Sequence, residues 1–452
     1  MRSNHLRVPV PIVVLTAVLA TSSGCEHQCE RLEGAMGPQE GSGESVEVAV
    51  GPMTWVRHTV DAAACGPAFV TVADVDGDAR PDLAVSRYGK GAGVPDGEVV
   101  VYRADDGLGG GWSREAVLAE SDELVFPAET AFHDVDGDGD QDAVVTVGWF
   151  ICGVVPGTEP CGGLVWFEQT ADGWVRHDLV EPTGEAFFHA PLLTDLDGDG
   201  VQDLVTVSET YGGDLGAGVA TTQWFGGTGD GQAFATPAHV VGEGLGTIPN
   251  LFDIDGDGDM DVYGAQFFMD GASFGWFEQV AAPAGDAGTW SFHAIDDAVG
   301  GSIDITMVPD LFGDGLLRAV ATNHTNTAED EAAPGSAVFV YTPGEDVTAP
   351  WSRAKISSGI VSGAGTGAFA PGVLGAGDAD ADGDVDVLVS GDGDPRVFLF
   401  EQTEAGSFAQ HAVEEEFGQA GGMQIVDLDG DGDGELIVVG YEADAVYVYE
   451  RQ

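Results

Sequence analysis

"HDVDGDGDQD", residues 133–142, carries five aspartates within nine positions. Carboxylates this close together repel one another, so a folded chain tolerates them when a cation lies among them. Gly137 and Gly139 permit the tight, partly left-handed backbone that turns alternate side chains toward one point. Because carboxylate oxygens are the ligands of hard ions, the stretch predicts a calcium site.

The same acidic pattern recurs along the chain at a nearly constant spacing. Six copies carry Asp at positions 1, 3 and 5 with an acid at position 9, and a seventh keeps the frame but has lost most of its acids. The copies begin 49 to 68 residues apart, which indicates seven structural units. In chain order the acidic loops one to seven are 74–82, 134–142, 195–203, 253–261, 310–318, 378–386 and 427–435, and loop five, "DLFGDGLLR", is the degenerate copy.

Each unit also carries four strand-like runs. In the second unit, "AVVTVGW" follows the loop, an aromatic run "LVWFEQ" comes next, and "WVRHDLV" begins at Trp174. A short apolar run leads into every loop, as in "FVTVAD" before loop one. Four antiparallel strands repeated radially describe a propeller blade, so the sequence predicts an all-β, seven-bladed β-propeller.

The two ends of the chain predict how the ring closes. The first Trp-led run begins at Trp55, before any acidic loop, whereas the last unit ends at "AVYVYERQ" without one. We therefore expect residues 55–60 to be the outer strand of the last blade, paired with residues 445–450. Closure of this kind removes exposed sheet edges. The alternative, a linear solenoid, would need capping units and gives no reason to divide one unit between the termini.

The acidic loops are not EF-hands, because position 12 lacks the bidentate Glu and the flanking runs are strand-like. Loops of this kind in seven propeller-like repeats resemble the FG-GAP/VCBS repeats of the integrin α-subunit propeller and of many bacterial surface proteins. The resemblance covers about residues 54–452 and predicts one propeller domain there.

The resemblance implies side-chain ligands at positions 1, 3, 5 and 9 of each acidic loop, with a backbone carbonyl from position 7. The side-chain ligands would be Asp74, Asp76, Asp78 and Asp82 in loop one; Asp134, Asp136, Asp138 and Asp142 in loop two; Asp195, Asp197, Asp199 and Asp203 in loop three; Asp253, Asp255, Asp257 and Asp261 in loop four; Asp378, Asp380, Asp382 and Asp386 in loop six; and Asp427, Asp429, Asp431 and Glu435 in loop seven. The carbonyls would be those of Arg80, Asp140, Val201, Asp259, Asp384 and Asp433.

Three loops depart from the pattern. Ala79 and Ala381 replace glycines of loops one and six, so these two loops are expected to bind calcium more weakly. Loop five has Phe312 at position 3 and Arg318 at position 9, so no ion is expected there. About six structural Ca²⁺ ions are therefore predicted.

Composition restricts the partners. The 452 residues include 77 Asp+Glu, 15 Lys+Arg and 69 Gly, with a formal net charge of −62. So much glycine is typical of a loop-dense β protein rather than a helical one. The charge argues against nucleic acid and against anionic membrane surfaces, unless bound ions mask it locally.

The N-terminus predicts export. Residues 1–24 have two early arginines and a short apolar run, as in a signal peptide. "TSSGC" resembles the lipobox of bacterial lipoproteins, which would lipidate Cys25, although Ser22 stands where that pattern prefers Leu. Cleavage of an ordinary secretory signal is the alternative. Residues 25–53 are expected to be a flexible tether, and the protein is expected on the outer membrane or cell surface, or secreted.

The remaining four cysteines form an even set, which suits an oxidising compartment. Cys152 and Cys161 flank a short loop and are predicted to form a disulfide. Cys29 and Cys65 are a further possible pair. Zinc is the competing interpretation, but no CxxC pair or suitably spaced histidines accompany these cysteines.

Long, irregular connections are expected on the face opposite the acidic loops, where binding residues usually lie. Candidate ligand contacts at or near them are Tyr88, Trp149, Phe150, Tyr211 and Phe268, and packing at the blade ends is the alternative for each. The sequence thus predicts a noncatalytic, calcium-stabilised binding or adhesion propeller, a monomer that recognises a protein or a glycan.

Two other functions stay open at this point. Trp-led strands suggest a lectin with sugar sites between blades, with inter-blade packing as the alternative role of the tryptophans. A polysaccharide lyase or hydrolase on a propeller scaffold could use His133 and His189, which fall on predicted inner strands. However, the sequence has no nucleophile elbow, HExxH motif or phosphate loop, and the blades leave little chain for a catalytic domain.

Overall fold

The structure is a computed structural model that describes residues 43–89, 97–148, 162–183, 186–210, 218–229, 233–267, 273–283, 287–325, 337–362 and 369–452. The signal peptide, Cys25, Cys29, Trp149, Phe150, Cys152, Cys161, Tyr211 and Phe268 lie outside these ranges, so what the sequence predicts for them stays a prediction.

The described residues form seven antiparallel sheets around one ring. Blade one consists of β3 (Pro67–Ala73), β4 (Asp82–Arg87), β5 (Glu98–Ala104) and β6 (Trp112–Leu118); blade two of β7 (Pro127–His133), β8 (Asp142–Val147), β9 (Gly163–Thr170) and β10 (Gly173–Val180); blade three of β11 (Phe187–Thr194), β12 (Asp203–Thr210), β13 (Val219–Phe225) and β14 (His239–Glu243). Blade four consists of β15 (Asn250–Phe252), β16 (Asp261–Ala265), β17 (Phe274–Ala281) and β18 (Thr289–Asp296); blade five of β19 (Ser302–Pro309), β20 (Leu317–Asn323), β21 (Val338–Thr342) and β22 (Ser352–Lys355); blade six of β23 (Leu374–Gly377), β24 (Asp386–Ser390), β25 (Val397–Glu404) and β26 (Ser407–Glu414).

Blade seven joins the two ends of the chain. It contains β27 (Ala420–Val426), β28 (Glu435–Gly440) and β29 (Ala445–Arg451), and its fourth strand is β2 (Met53–Asp61). In the antiparallel register of β2 and β29, Trp55 pairs with Arg451 and Val56 with Glu450. The seven-bladed, four-stranded architecture and the closure by the N-terminal strand are confirmed.

One boundary predicted from the sequence is wrong. The flexible tether was expected to extend to residue 53, but β1 (Ser45–Val50) forms a fifth strand on the outer edge of blade seven. It pairs with β2 from Ser45 opposite His58 to Val50 opposite Met53. The run "SVEVAV" alternates Val with other residues, which suits an edge strand, and Val50 is fully buried there.

Neighbouring blades contribute hydrophobic residues to the same buried clusters. Trp55 of blade seven, for example, belongs to the same buried cluster as Leu388 and Leu399 of blade six. Trp112 and Trp351 are buried in two further clusters. These three Trp side chains therefore pack between blades, the alternative to the sugar-stacking role.

The one helical element in the described residues is a 3₁₀ turn at Glu120–Asp122, and none of these residues forms a helix long and apolar enough to span a membrane.

Candidate functional site

Each acidic loop connects the first and second strands of its blade, so the seven loops lie on one face of the ring. In loop two, Asp134 accepts hydrogen bonds from the backbone N–H groups of Gly137 at 2.8 Å and Gly139 at 3.1 Å. Asp136 accepts from the N–H of Asp138, and Asp138 from that of Asp140, both at 3.0 Å. This ladder of side chain to backbone bonds coils the loop and turns alternate carboxylates inward.

In loops two, three, four and six, the aspartate at position 9 connects the loop to the rest of its blade. Asp142 is fully buried, and its two oxygens accept the N–H of Val135 at 2.9 Å and that of Gln169 in β9 at 2.8 Å. Asp203, Asp261 and Asp386 make the corresponding pair of bonds in loops three, four and six. Burial raises the pKa of Asp142 to about 6 and that of Asp386 to about 7.

We expect Asp142→Asn to lower the free energy of unfolding by about 1–3 kcal/mol, measured by urea unfolding in EDTA so that ions contribute nothing. The amide keeps the shape but loses one acceptor, which leaves a buried N–H without a partner. The control is Asp140→Asn in the same loop, because Asp140 is exposed and its loss should change stability by less than about 0.5 kcal/mol. Equal effects of the two changes would contradict a bracing role for position 9.

The carboxylates of five loops converge closely enough to share one ion. Within each group, one oxygen per residue lies within 4.8 Å of the others. The groups are Asp74, Asp76 and Asp78; Asp134, Asp136 and Asp142; Asp195, Asp197 and Asp199; Asp253, Asp255 and Asp261; and Asp378, Asp380 and Asp386. Since calcium takes six to eight oxygens at about 2.3–2.6 Å, this spread suits a single ion.

Unpartnered oxygens also fit a cation. Asp195 Oδ1 in loop three, and Asp433 Oδ1 and Glu435 Oε1 in loop seven, are buried without a hydrogen-bond partner. Burial raises the pKa of Glu435 to about 8, which shows how unfavourable its charged form is without a counter-ion. The donor set, hard oxygens only, suits calcium rather than a softer metal.

The two alanines in these loops adopt the conformation of the glycines they replace. Ala79 has φ +66° and Ala381 has φ +55°, while Gly139 and Gly137 at the matching positions of loop two have φ +105° and +81°. The loop backbone is therefore kept at the expense of strain, since the left-handed region is unfavourable for a residue with a Cβ by about 1–2 kcal/mol.

We expect Ala381→Gly to raise the free energy of unfolding by up to about 1 kcal/mol in calcium, because relief of strain exceeds the extra freedom of glycine in the unfolded chain. Urea unfolding measures it. Ala412→Gly in the middle of β26 is the control and should destabilise by about 0.5–1 kcal/mol. A loss of stability in both variants would contradict the inferred backbone strain at Ala381.

Loop five carries its own cation. The guanidinium of Arg318, at position 9, donates to both oxygens of Asp314 at 2.7 and 2.6 Å and lies 4.1 Å over the ring of Phe312. Asp314 has its pKa lowered to about 2, chiefly by the hydrogen bond from Arg318. These contacts suit the prediction that this loop takes no metal ion.

Four blades place an additional carboxylate beside their loops, which sequence reasoning missed. We call Glu168, Glu278, Glu401 and Glu450 the third-strand acids, because each follows the buried aromatic residue of the third strand. Each contacts the Nε2 atom of a histidine on the fourth strand: His177 at 2.9 Å, His293 at 2.6 Å, His411 at 2.8 Å and His58 at 2.7 Å, respectively. The recurring "FEQ" or "YER" of the third strand and the "RH", "FH" or "QH" of the fourth strand were the signal.

The third-strand acids act electrostatically on the loops. Burial, followed by the charges of Asp138 and Glu168, raises the pKa of Asp136. Asp255, Asp380 and Asp429 at the same position also have raised pKa values, with burial the main cause and Glu278, Glu401 and Glu450 contributing. These loops therefore carry more negative charge than their own sequences suggest.

Blade one differs, because arginines lie on its acidic loop. Arg103, in β5, has its Nε 3.1 Å from Asp76 and 3.6 Å from Asp82. Its Nη1 donates to Glu115 at 2.9 Å. Arg80 donates from Nε to Asp78 at 2.8 Å and from Nη2 at 2.5 Å.

The opposite face of the ring contains a buried acid–base group, which we call the His189 cluster. His189, near the start of β11, has Nδ1 3.7 Å from Glu129 of β7 and Nε2 3.7 Å from Glu209 of β12. Burial alone would lower the pKa of His189, but the two carboxylates, chiefly Glu129, raise it. Burial raises the pKa of Glu209 to about 8. Nδ1 of His189, Oε1 of Glu129 and Oε2 of Glu209 are buried without hydrogen-bond partners.

Three other residues singled out from the sequence, His133, Tyr88 and Cys65, lie outside the His189 cluster. His133 ends β7 beside Asp134, on the loop face, and so does not join the His189 cluster. Tyr88 is buried, with its ring centroid 5.2 Å from that of Phe126 and 6.3 Å from that of Tyr441. Packing at a blade end therefore describes Tyr88 in this structure. Cys65 is buried and disulfide-bonded, but the four other cysteines lie outside the described residues, so both cysteine pairings stay predictions.

Comparison with known proteins finds a family model described as FG-GAP-like repeat, which matches residues 195–264 and 378–438. No curated protein matches the chain in sequence.

Several solved structures are similar to the chain at low identity. Virginiamycin B lyase from Staphylococcus aureus is 12% identical, with 87% of this chain and 98% of that chain covered and a TM-score of 0.47. Rhamnogalacturonan lyase PL11 from Bacillus licheniformis is 13% identical, with 90% and 75% covered and a TM-score of 0.42. An α-L-arabinanase from Penicillium chrysogenum is 16% identical, with 73% and 93% covered and a TM-score of 0.39.

Proposed function

Because this chain is an FG-GAP repeat β-propeller protein, we propose that it is a noncatalytic binding protein that acts outside the cell and is stabilised by calcium in its acidic loops. The observation that carries the proposal is the recurrence of converging carboxylates at one place in successive blades. Extracellular calcium modules bind with dissociation constants of about 10⁻⁴–10⁻³ M, so such sites would be filled where calcium is abundant.

In this proposal the ions are structural. They neutralise carboxylates that would otherwise repel one another between the first two strands of a blade. In loops two, four and six, position 9 also connects the loop to the third strand through its second backbone bond. Ion binding would thus hold three strands of a blade together. The ligand side chains would be those at positions 1, 3, 5 and 9.

The ligand is proposed to be a protein or a glycan that binds on the face opposite the acidic loops. Connections of variable length on a rigid scaffold are usual binding surfaces, and the sequence predicts such connections on this face. A net charge of −62 favours a neutral or cationic ligand over a polyanion.

A glycan array probed with the calcium-loaded protein tests this proposal. Binding to a neutral or amino-sugar glycan that is lost in EDTA would support a glycan ligand and a calcium-dependent fold. Selective binding to polyanionic glycans would contradict the charge argument. Chromatography with light scattering tests the proposed monomer.

The His189 cluster favours a second candidate, a lyase or hydrolase acting on a polysaccharide. His189 lies between the half-buried Glu129 and the buried Glu209, whose pKa is about 8, and could exchange protons with either as an acid–base pair. Assays for unsaturated products and for new reducing ends across a polysaccharide panel test it. Turnover abolished by His189→Gln in a protein of unchanged melting temperature would establish catalysis and contradict the noncatalytic proposal.

Export is proposed from residues 1–24, with Cys25 lipidated or, alternatively, an ordinary secretory cleavage nearby. The mass of the mature N-terminus distinguishes the two, because a lipidated Cys25 adds the mass of its acyl chains.

A further inference from the structure

We infer that acidic loop one takes no divalent cation, because the guanidinium of Arg103 occupies the place of the ion, and that a cationic residue at this third-strand position keeps a loop from becoming a metal site. The inference rests on the proposed calcium binding of the other acidic loops. It corrects the sequence-based expectation that Asp74, Asp76, Asp78 and Asp82 form a site.

Strand register places Arg103 where other blades have their third-strand acid. In blade one Tyr102 pairs with Leu83, the residue after position 9 of the loop. In blade two Phe167 pairs with Ala143, again the residue after position 9. The next residue is therefore Arg103 in blade one and Glu168 in blade two. The same register puts Glu278, Glu401 and Glu450 at this place in blades four, six and seven.

The residue at the facing position of the fourth strand also differs between blade one and the other blades. Val101 pairs with Glu115 in blade one, and Trp166 pairs with His177 in blade two, so Glu115 occupies the histidine's place. Blade one thus carries an Arg–Glu pair where four blades carry a Glu–His pair. Glu115 is further held by Trp174 of blade two, whose Nε1 donates to it at 3.1 Å. The charge at the third-strand position is therefore positive in blade one and negative in the four blades with the Glu–His pair, and in each case a partner residue on the fourth strand holds it in place.

The Arg103 guanidinium competes directly for the calcium ligands. Its side chain is 19% exposed, and its Nε reaches the carboxylates at positions 3 and 9. Arg80 pairs with the carboxylate at position 5. Three of the four predicted ligand carboxylates in loop one are therefore within 4 Å of an arginine nitrogen.

The charge balance decides against an ion in loop one. The four carboxylates of loop one, with Arg80, Arg103 and Glu115, have a net charge of −3, whereas the five aspartates of loop two and Glu168 have −6. A Ca²⁺ ion in loop one would also lie within a few ångströms of Arg103, and like charges at that distance repel strongly when they are partly buried.

Loops five and six show when an arginine near an acidic loop neutralises it and when it does not. In loop five, Arg318 neutralises Asp314 from within the loop, an independent case of a guanidinium at an acidic loop. In loop six, Arg451 of the next blade approaches Asp380 Oδ2 to only 3.9 Å, and its Nη1 donates to the Asp380 carbonyl. Five carboxylates, Glu401 and Arg451 together leave that site at −5, so it keeps its affinity for a cation.

Reciprocal exchanges test the inference by counting ions in the full chain. Native mass spectrometry of the calcium-loaded protein should give five Ca²⁺ per chain for the wild type, from loops two, three, four, six and seven. The exchange Arg103→Glu with Glu115→His should raise the count to six. The reverse exchange, Glu168→Arg with His177→Glu, should lower it to four.

Further variants keep the test decisive. Arg103→Lys retains the positive charge and should keep five ions, while Arg103→Gln should allow a sixth even if the double exchange does not fold. A wild type with six ions, reduced to five by Asp78→Asn, would overturn this inference and leave the proposed calcium binding intact. A wild type that takes up no calcium would contradict the proposed function and this inference with it.

Discussion

Chelation of calcium is expected to lower the free energy of unfolding by about 2–7 kcal/mol at 1 mM calcium. Each ion that binds the folded chain alone adds RT ln(1 + [Ca²⁺]/Kd), which is about 0.4–1.4 kcal/mol for dissociation constants of 10⁻³–10⁻⁴ M. Five occupied loops multiply that contribution. The measurement is urea unfolding in 1 mM calcium and in EDTA.

Ionic strength must be matched in that comparison, because a chain with a net charge of −62 is also stabilised by screening. Re-addition of calcium after chelation should restore the original midpoint, whereas an equal ionic strength of NaCl should not. Identical midpoints in calcium and EDTA would contradict structural ions in the loops.

Trp55→Ala is expected to lower the free energy of unfolding by about 3–5 kcal/mol. Trp55 is fully buried in the cluster shared by blades six and seven, and it lies on the strand that closes the ring. Its loss leaves a cavity at the one blade whose strands come from both ends of the chain. Thermal and urea unfolding measure the effect.

Val46→Ala is the matched control. Val46 lies on β1, outside Trp55 in the same sheet, and is 41% exposed, so its truncation should change stability by about 0.5 kcal/mol or less. A comparably small effect of Trp55→Ala would contradict the view that blade seven fastens the ring.

Much of the fold could be predicted because it repeats. The alternating acids recur in six of the seven loops and the order of the strand runs recurs in every unit, so errors in one copy are corrected by the others. The closure followed from the mismatch between Trp55 at one end and "AVYVYERQ" at the other. β1 was not predicted, because its sequence, "SVEVAV", does not recur in the chain. It also follows a segment rich in Glu, Gly and Ser that is typical of a tether.

The side-chain contacts that could not be predicted from the sequence depend on strand register. Arg103 and Glu168 look like unrelated residues until the pairing of Tyr102 with Leu83 and Phe167 with Ala143 shows that they occupy one place. The His189 cluster draws on β7, β11 and β12, from two blades, so no local pattern predicts it. Side chains that meet across strands are set by tertiary structure, whereas a loop coiled by its own carboxylates is set by nine consecutive residues.

The account depends on cations lying among the carboxylates of the acidic loops, and anomalous diffraction from crystals grown in calcium, or with Mn²⁺ in its place, tests that most directly. We expect one anomalous peak in each of loops two, three, four, six and seven, surrounded by the carboxylates at positions 1, 3, 5 and 9, and none in loops one and five. A map without peaks in any of these loops would contradict the account.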